Sequence, residues 1–480
     1  MASASEFRRL GSGLLAIAST AVLLWFGTGL NPHWPLMWFA PLPALLFAPR
    51  ASWWSAALVA GSAWILGSLN MWHYDMAVIN IPPPIVVRIL ITIGLVFAIS
   101  VLLHRALLRR GAHWTALLAF PAFLTSFEYL LNIGSPHGTA GSLAYSQVNF
   151  LPFLQLASIT GPWGMTFLLL LFPCALALGL HLRTRATQQA LAIVGVSLSV
   201  IALVLMFGAV RLLLPAPTGL VRVGLMASDP PVSPFMADEG VPTTRLLQTY
   251  ADHAVALAAQ GAQVIVMPEK IGVLAGSATQ DSDVLFKTLA DKTHATIVVG
   301  SIRVADHKAY NEARVYAPAA PVLSYDKQHM LPAFESNLTP GTTLTLLPRP
   351  SGVWGVAICK DMDFTPLSRE YGQAGVGLLL VPAWDFDLDR LEHGHMAVMR
   401  GVESGFNLVR AAKQGYLTVS DYRGRILAET TSDSAPFAVL IADVPANHVH
   451  TLYVLLGDWF AWLALAVLVV TLVQLARAWM

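Results

Sequence analysis

Over its first 217 residues the chain alternates long apolar runs with short polar loops, and then it changes character. The runs cover residues 11–30, 35–48, 53–72, 85–108, 114–131, 163–182 and 189–214, and an eighth covers 452–476. A helix needs roughly 20 apolar residues to cross a bilayer. The pattern therefore predicts about eight membrane-spanning helices, of which the second is short and interrupted by proline. The first run follows Arg8-Arg9 and has no small-residue cleavage site before Asn31-Pro32. It reads as a retained span rather than a signal peptide.

Between 218 and 450 the pattern shortens. Residues 220–226 alternate as a strand does, and 244–260 place Leu246, Leu247, Tyr250, Ala254 and Leu257 on one helical face. An apolar strand at 264–267 ends in Pro268-Glu269, and a helix at 282–293 leads to a strand at 295–301. Strands at 310–317 and 322–325 follow, the second running into YDKQHMLPAFE. The apolar run Val356-Ala357-Ile358 ends a strand at Cys359, and GVGLLLVPAWDF is a further buried strand that runs into a polar turn. A helix at 391–404, strands at 407–411 and 417–421 and a turn at 422–425 complete the block. Strands alternating with helices indicate an α/β domain. The predicted architecture is thus seven transmembrane helices (1–217), an inserted α/β domain (218–450) and an eighth helix (451–480).

Composition supports the membrane reading. Only 12% of residues are charged and 55% are hydrophobic, against about 25% charged in soluble domains. The net charge of +1 gives no sign of a nucleic-acid partner. Basic residues fall in alternate loops: Arg50, then His104-Arg105 with Arg109-Arg110, then Arg183 and Arg185. With eight spans, Arg8-Arg9 and Arg477 share that side. By the positive-inside rule it is cytoplasmic, so the 218–450 block faces outward. Arg88 and Glu128 sit within or near spans, where ionisable residues usually face a bundle interior or polar cavity. Arg88, four residues after Pro84, equally suits snorkelling to the interface, and Glu128 lies near the outer end of its span, a place for a lipid or substrate entrance.

The chain has two cysteines. Cys174 lies in an apolar run, so Cys359 has no evident disulfide partner. It is either a buried structural residue or a reactive thiol. Two other strand ends deliver Glu269 and Lys327. Brought together, the three describe acyl transfer through a thioester. The carboxylate serves as general base to the thiol, and the ammonium with a backbone N–H stabilises the tetrahedral oxyanion. Taken singly, Glu269 is also readable as a solvated turn residue and Lys327 as a surface charge beside Asp326, and spacing does not join them. His393 and His395 have no convincing third ligand, so no metal site is expected. Trp354, Trp384 and Phe386 are candidates for lining a lipid-facing cleft, whereas His73-Tyr74 read as interface aromatics.

The ordered motifs VMPE, YDKQHMLPAFE, VAICKD, PAWDF and HMAVMRGVESGFNLVRA resemble the nitrilase superfamily, whose members carry a Glu–Lys–Cys triad on an αββα sandwich. With FEYL (127–130), GSLAYSQ (141–147) and LQLASITGPWGMTFL (154–168), almost the whole chain is similar to the superfamily's membrane-embedded branch, the apolipoprotein N-acyltransferases. These are eight-span enzymes of the bacterial inner membrane with a periplasmic nitrilase-like domain. The resemblance implies Glu269 as general base, Lys327 as oxyanion stabiliser and Cys359 as nucleophile. It implies Glu335 as a second functional glutamate, with Lys360 and Trp384 in the substrate and oxyanion region. It implies no metal and no cofactor. The acyl donor it implies is a phospholipid, often phosphatidylethanolamine, and the acceptor is the α-amino group of a diacylglyceryl-cysteine at a lipoprotein N-terminus.

The chain departs from the family pattern around the pocket. Lys360-Asp361 replaces Tyr-Glu after the cysteine, LPAFE replaces VPFGE, PAWDF replaces NDAWF, and Lys413 in RAAKQG replaces an asparagine. Lys360 either lowers the thiol pKa, pairs with Asp361, or points to solvent by strand alternation. These changes leave open a membrane-tethered nitrilase-type amidohydrolase with water as acceptor, and an N-acyltransferase for a different amine. A scaffold without activity is a third reading, against which the three intact triad positions argue.

Overall fold

The structure is a computed structural model that describes residues 4–215, 219–229, 241–332 and 334–477. Thr218, Ala333 and the side chains of Arg8 and Arg9 lie outside the described residues. The chain divides into two compact units. One is drawn from Met1–Ser135, Gly141–Leu212 and Leu456–Met480, the other from Pro136–Ala140 and Leu213–Leu455.

Among the described residues, six helices of the first unit are long and apolar enough to cross a membrane. They are Leu10–Gly27, Pro83–Arg109, His113–Gly134, Pro162–Leu182, Thr187–Leu213 and Trp459–Arg477. The other two apolar runs take a different form. Trp53–Ser68 is one helix of 16 residues, about 24 Å long against a hydrocarbon core of about 30 Å. The run at 35–48 breaks into Trp34–Met37, Leu42–Phe47 and the tight turn Ala48–Arg50. Pro35, Pro41, Pro43 and Pro49 remove amide donors and clash with preceding carbonyls, so no continuous helix forms there. The helices Trp53–Ser68 and Pro83–Arg109 approach closely, because a Cβ at Gly94 would lie 2.6 Å from the Ile65 side chain; small residues permit such contacts between membrane helices. Glu128 is held inside this unit, accepting from Ser142 Oγ at 3.1 Å, Leu143 N at 3.0 Å and Thr166 Oγ1 at 2.8 Å. Arg88 is exposed, as snorkelling requires.

The second unit is an αββα sandwich. One sheet contains β1 (Leu220–Ala227), β2 (Val264–Val266), β3 (Val273–Ala275), β4 (Thr296–Ala305), β5 (Lys308–Tyr316) and β6 (Leu323–Asp326). The other contains β7 (Thr345–Arg349), β8 (Gly352–Val356), β9 (Val376–Trp384), β10 (Asn407–Lys413), β11 (Tyr416–Ser420) and β12 (Ile426–Thr431). A last strand, β13 (Ala438–Pro445), returns to pair antiparallel with β1. The spatial orders are β13-β1-β2-β4-β5-β6, with β3 also paired to β4, and β12-β11-β10-β9-β8-β7.

Both sheets have parallel centres, β1-β2-β4 and β8-β9-β10. Parallel strands are covered on both faces, which explains the uninterrupted apolar run of β9, buried along its whole length. Alternate residues Val221, Val223, Leu225, Val264 and Val266 meet Val356, Leu378, Leu380, Val409 and Ala411 between the sheets. The opposite phase, Met226, Ile265, Ile297 and Val299, packs on the helices Val241–Ala259 and Ser277–Thr293 through Leu247, Tyr250, Ala254, Phe286 and Leu289. Trp354 belongs to the intersheet core, with the Arg349 guanidinium 5.5 Å from its ring centroid. It does not line a cleft, because the alternation of β8 turns it inward. The helices Thr365–Gln373 and Arg390–Ser404 pack against β9 and β10.

Candidate active site

Four strand ends bring the polar residues together. After β2, Met267-Pro268 lead to Glu269, whose N–H donates to the Ala383 carbonyl of β9 at 3.2 Å. After β6, Lys327 N–H donates to the Asn311 carbonyl of β5 at 2.8 Å. The Lys327 ammonium lies 2.8 Å from Glu269 Oε1 and 2.9 Å from Glu335 Oε2. Lys270 forms a second ion pair with Glu335 and lies 4.0 Å from Glu269 Oε1. Asn311 Nδ2 donates to Glu269 Oε1 at 2.5 Å and to Glu335 Oε1 at 2.8 Å. All five side chains are buried. Two ammoniums balance two carboxylates, and each charge is hydrogen-bonded, which is the condition for keeping ions out of water.

Cys359 opens a tight 3₁₀ turn, Cys359–Asp363, just after β8. Its φ is +42°, in the left-handed region that costs a residue with a Cβ about 1–3 kcal/mol unless its surroundings hold it. Its thiol donates to the Trp384 carbonyl at 3.4 Å, one residue beyond the carbonyl that receives Glu269. Asp361 clips this turn to the lysine strand. Its carboxylate accepts from Tyr325 Oη at 2.7 Å, Ile358 N at 3.1 Å, Gln328 N at 3.2 Å and His329 N at 3.0 Å. The segment that follows Lys327 is therefore hydrogen-bonded to the turn that carries Cys359.

The electrostatics follow from these neighbours. Burial pushes the Cys359 thiol well above its ordinary range, Glu269 and Asp385 add to the effect, and Lys327 and Arg410 oppose it. The resting sulfur is a neutral thiol that needs a base. Burial alone would lower the Lys327 ammonium, but Glu269 and Glu335 outweigh it and hold the group firmly charged. Burial would raise the Glu335 carboxyl, yet Lys327 and Lys270 hold it well below the usual range. A half-buried, protonatable thiol thus has a buried carboxylate and a buried, fixed cation as neighbours. That arrangement can move a proton from sulfur and stabilise an oxyanion.

Trp384 is buried beside this group, with Nε1 donating to Gln414 Oε1 at 2.7 Å and the Lys413 ammonium 4.0 Å from its ring centroid. Burial lowers Lys413 to about 8. Phe386 packs against Phe334, with centroids 5.1 Å apart. Lys360 neither pairs with Asp361 nor points to solvent, two of the roles weighed from the sequence. It is buried, pairs with Asp363 Oδ2 at 3.0 Å and lies 3.4 Å from His137 Nδ1. The tight turn rotates its side chain away from Asp361, whose carboxylate is already filled by Tyr325 and three amides.

Sequence reasoning missed Asn311, Lys270 and the Asp385–Arg410 ion pair, which is fully buried. One signal was available for Asn311, a polar residue in the middle of an alternating strand. The Asp385–Arg410 pair depended on β9 and β10 lying side by side, and the role of Lys270 on the approach of Glu335 from a distant part of the sequence.

Residues 242–452 match the carbon-nitrogen hydrolase family, the class that this sandwich defines. Residues 12–175 match the apolipoprotein N-acyltransferase N-terminal domain. The apolipoprotein N-acyltransferase of Geobacter metallireducens is 28% identical over 399 residues, which are 75% of this chain and 74% of that protein. That of Shewanella oneidensis is 28% identical over 73% of this chain and 72% of its own length, and that of Gloeobacter violaceus 25% identical over 91% and 82%. The chain belongs to the apolipoprotein N-acyltransferase family.

Proposed function

We propose that the protein is a membrane acyltransferase that moves an acyl chain from a phospholipid, through a thioester on Cys359, to the N-terminal amine of a diacylglyceryl-cysteine lipoprotein. The observation that carries this reading is the buried set in which the Lys327 ammonium bridges Glu269 and Glu335 beside the thiol. Family membership supplies the donor and acceptor classes. The basic loops and the bacterial relatives favour the inner membrane, with the catalytic unit on the periplasmic side.

In the proposed reaction Glu269 takes the thiol proton as sulfur attacks the ester carbonyl of the lipid. The Lys327 ammonium, with a backbone N–H, stabilises the oxyanion that forms. The intermediate collapses, the carbon–oxygen ester bond breaks, and the lysolipid alkoxide leaves with the proton held by Glu269. The acceptor amine then attacks the thioester and gives its proton to Glu269. The carbon–sulfur bond breaks, and the thiolate regains a proton. Lys270 and Asn311 keep Glu335 and Glu269 in place during both halves. The test is transfer from phosphatidylethanolamine to a synthetic diacylglyceryl-cysteine peptide. The expected product is the amide, lost in Cys359→Ala while that variant still inserts in membranes. Release of free fatty acid with no amide would instead make water the acceptor.

A further inference from the structure

The catalytic unit contains five residues from a distant part of the chain. Pro136–Ala140 belongs to it, although the residues on either side belong to the membrane unit. The contacts are specific. Thr139 donates to the Asp363 carbonyl twice, from N at 2.9 Å and from Oγ1 at 2.7 Å. Gly138 has φ +53°, and a Cβ there would lie 2.5 Å from the same carbonyl oxygen. His137 Nδ1 lies 3.4 Å from the Lys360 ammonium, which in turn pairs with the Asp363 carboxylate. Two residues after the segment, Ser142 and Leu143 are fastened to Glu128.

Asp363 is the last residue of the turn that Cys359 opens. The turn holds its first residue at positive φ, so both of its ends must be secured. The Asp361 carboxylate secures the side toward Lys327. The side away from it is secured by Thr139 on the Asp363 carbonyl and by Lys360 on the Asp363 carboxylate.

We propose that Pro136–Ala140 is a positioning element for the nucleophile, in which Thr139 and the close approach at Gly138 fix the turn that presents Cys359. This rests on the reading of Cys359 as nucleophile. In this role the residues act through the turn, so their effect belongs to acylation rather than to donor binding.

The full-length protein in lipid nanodiscs is compared with Gly138→Ala, Thr139→Val and Thr139→Ser. Single-turnover acylation of Cys359 by phosphatidylethanolamine is followed by intact mass. The pH profile of Cys359 alkylation by iodoacetamide is read by peptide mass. Gly138→Ala is expected to slow acylation about a hundredfold, the size of effect produced by a misplacement of roughly 1 Å. It is also expected to alter the alkylation profile while leaving the donor KM as in the parent. Thr139→Val acts in the same direction, and Thr139→Ser restores both readouts. If Gly138→Ala does not fold, the two Thr139 variants decide alone. Parent-like acylation and alkylation in Thr139→Val would overturn the proposal, as would losses that merely track the amount of folded protein. Failure of the nucleophile reading looks different, because the unmodified protein then gains no acyl chain on Cys359.

Discussion

At the scale of single residues, the thiol and its base set opposing demands. Burial, Glu269 and Asp385 keep Cys359 protonated, so the nucleophile forms only as its proton leaves. Glu269 both disfavours the thiolate and, in the proposed mechanism, receives the proton. Replacing Glu269 by Gln separates these effects. The alkylation profile of Cys359 in Glu269→Gln should move to lower pH, because a negative charge beside the sulfur is gone. Acyl transfer should nevertheless fall by about 10²- to 10⁴-fold, the usual worth of general acid–base catalysis. A profile moved upward, or transfer retained, would contradict the assignment. Lys327 is unsuited to the same probe, since removing it leaves two buried carboxylates short of a cation at a cost of about 3–5 kcal/mol.

At the scale of elements, the helix Arg390–Ser404 is fixed near the nucleophile turn by an imidazole. His393 Nε2 lies 3.0 Å from Asp389, and Nδ1 lies 3.9 Å from Asp363. Burial opposes its charge, but Asp389, Asp363 and Asp385 outweigh burial and raise the group from 6.5 to about 10. A raised basic group stabilises the fold fully below its unfolded pKa and loses that contribution as pH rises through the folded one. The window is therefore about 6.5 to 10. Thermal unfolding of the parent should drop in temperature across this window, and His393→Gln should flatten the drop. Equal slopes in both proteins would remove His393 from the account.

The same elements show what was legible beforehand. The β9 run, the strand into Cys359 and the helical face of Leu247, Tyr250 and Ala254 were readable because each is a local pattern, the first two unbroken apolar runs and the third a helical repeat. The proline-broken run at 35–48 was readable as short, but its division into two helices and a turn depends on where each proline falls. The Lys360 partner was not readable, since the turn after β8 reverses the alternation assumed for a strand.

At the scale of the whole molecule, the candidate site is a product of tertiary proximity. Glu269, Lys327 and Cys359 were each visible as a polar residue after an apolar run, and the ordered motifs joined them through resemblance. Their contacts were not visible, because Lys327 and Glu269 are 58 residues apart and meet only when β2 and β6 are placed in one sheet. Thr139 and Asp363 are separated by 224 residues, and no local pattern announces their bond. Lys270, Asp385 and Arg410 are silent for the same reason. The composition marked the membrane unit from the outset, since apolar runs of that length have few other uses.

The central claim is a covalent acyl intermediate on Cys359, and intact mass measures it directly. Purified protein is incubated with phosphatidylethanolamine and weighed before and after hydroxylamine. The account predicts a gain of one acyl chain, removed by hydroxylamine and absent from Cys359→Ala. Folded protein that gains no acyl chain, or an adduct that persists in Cys359→Ala, would contradict it.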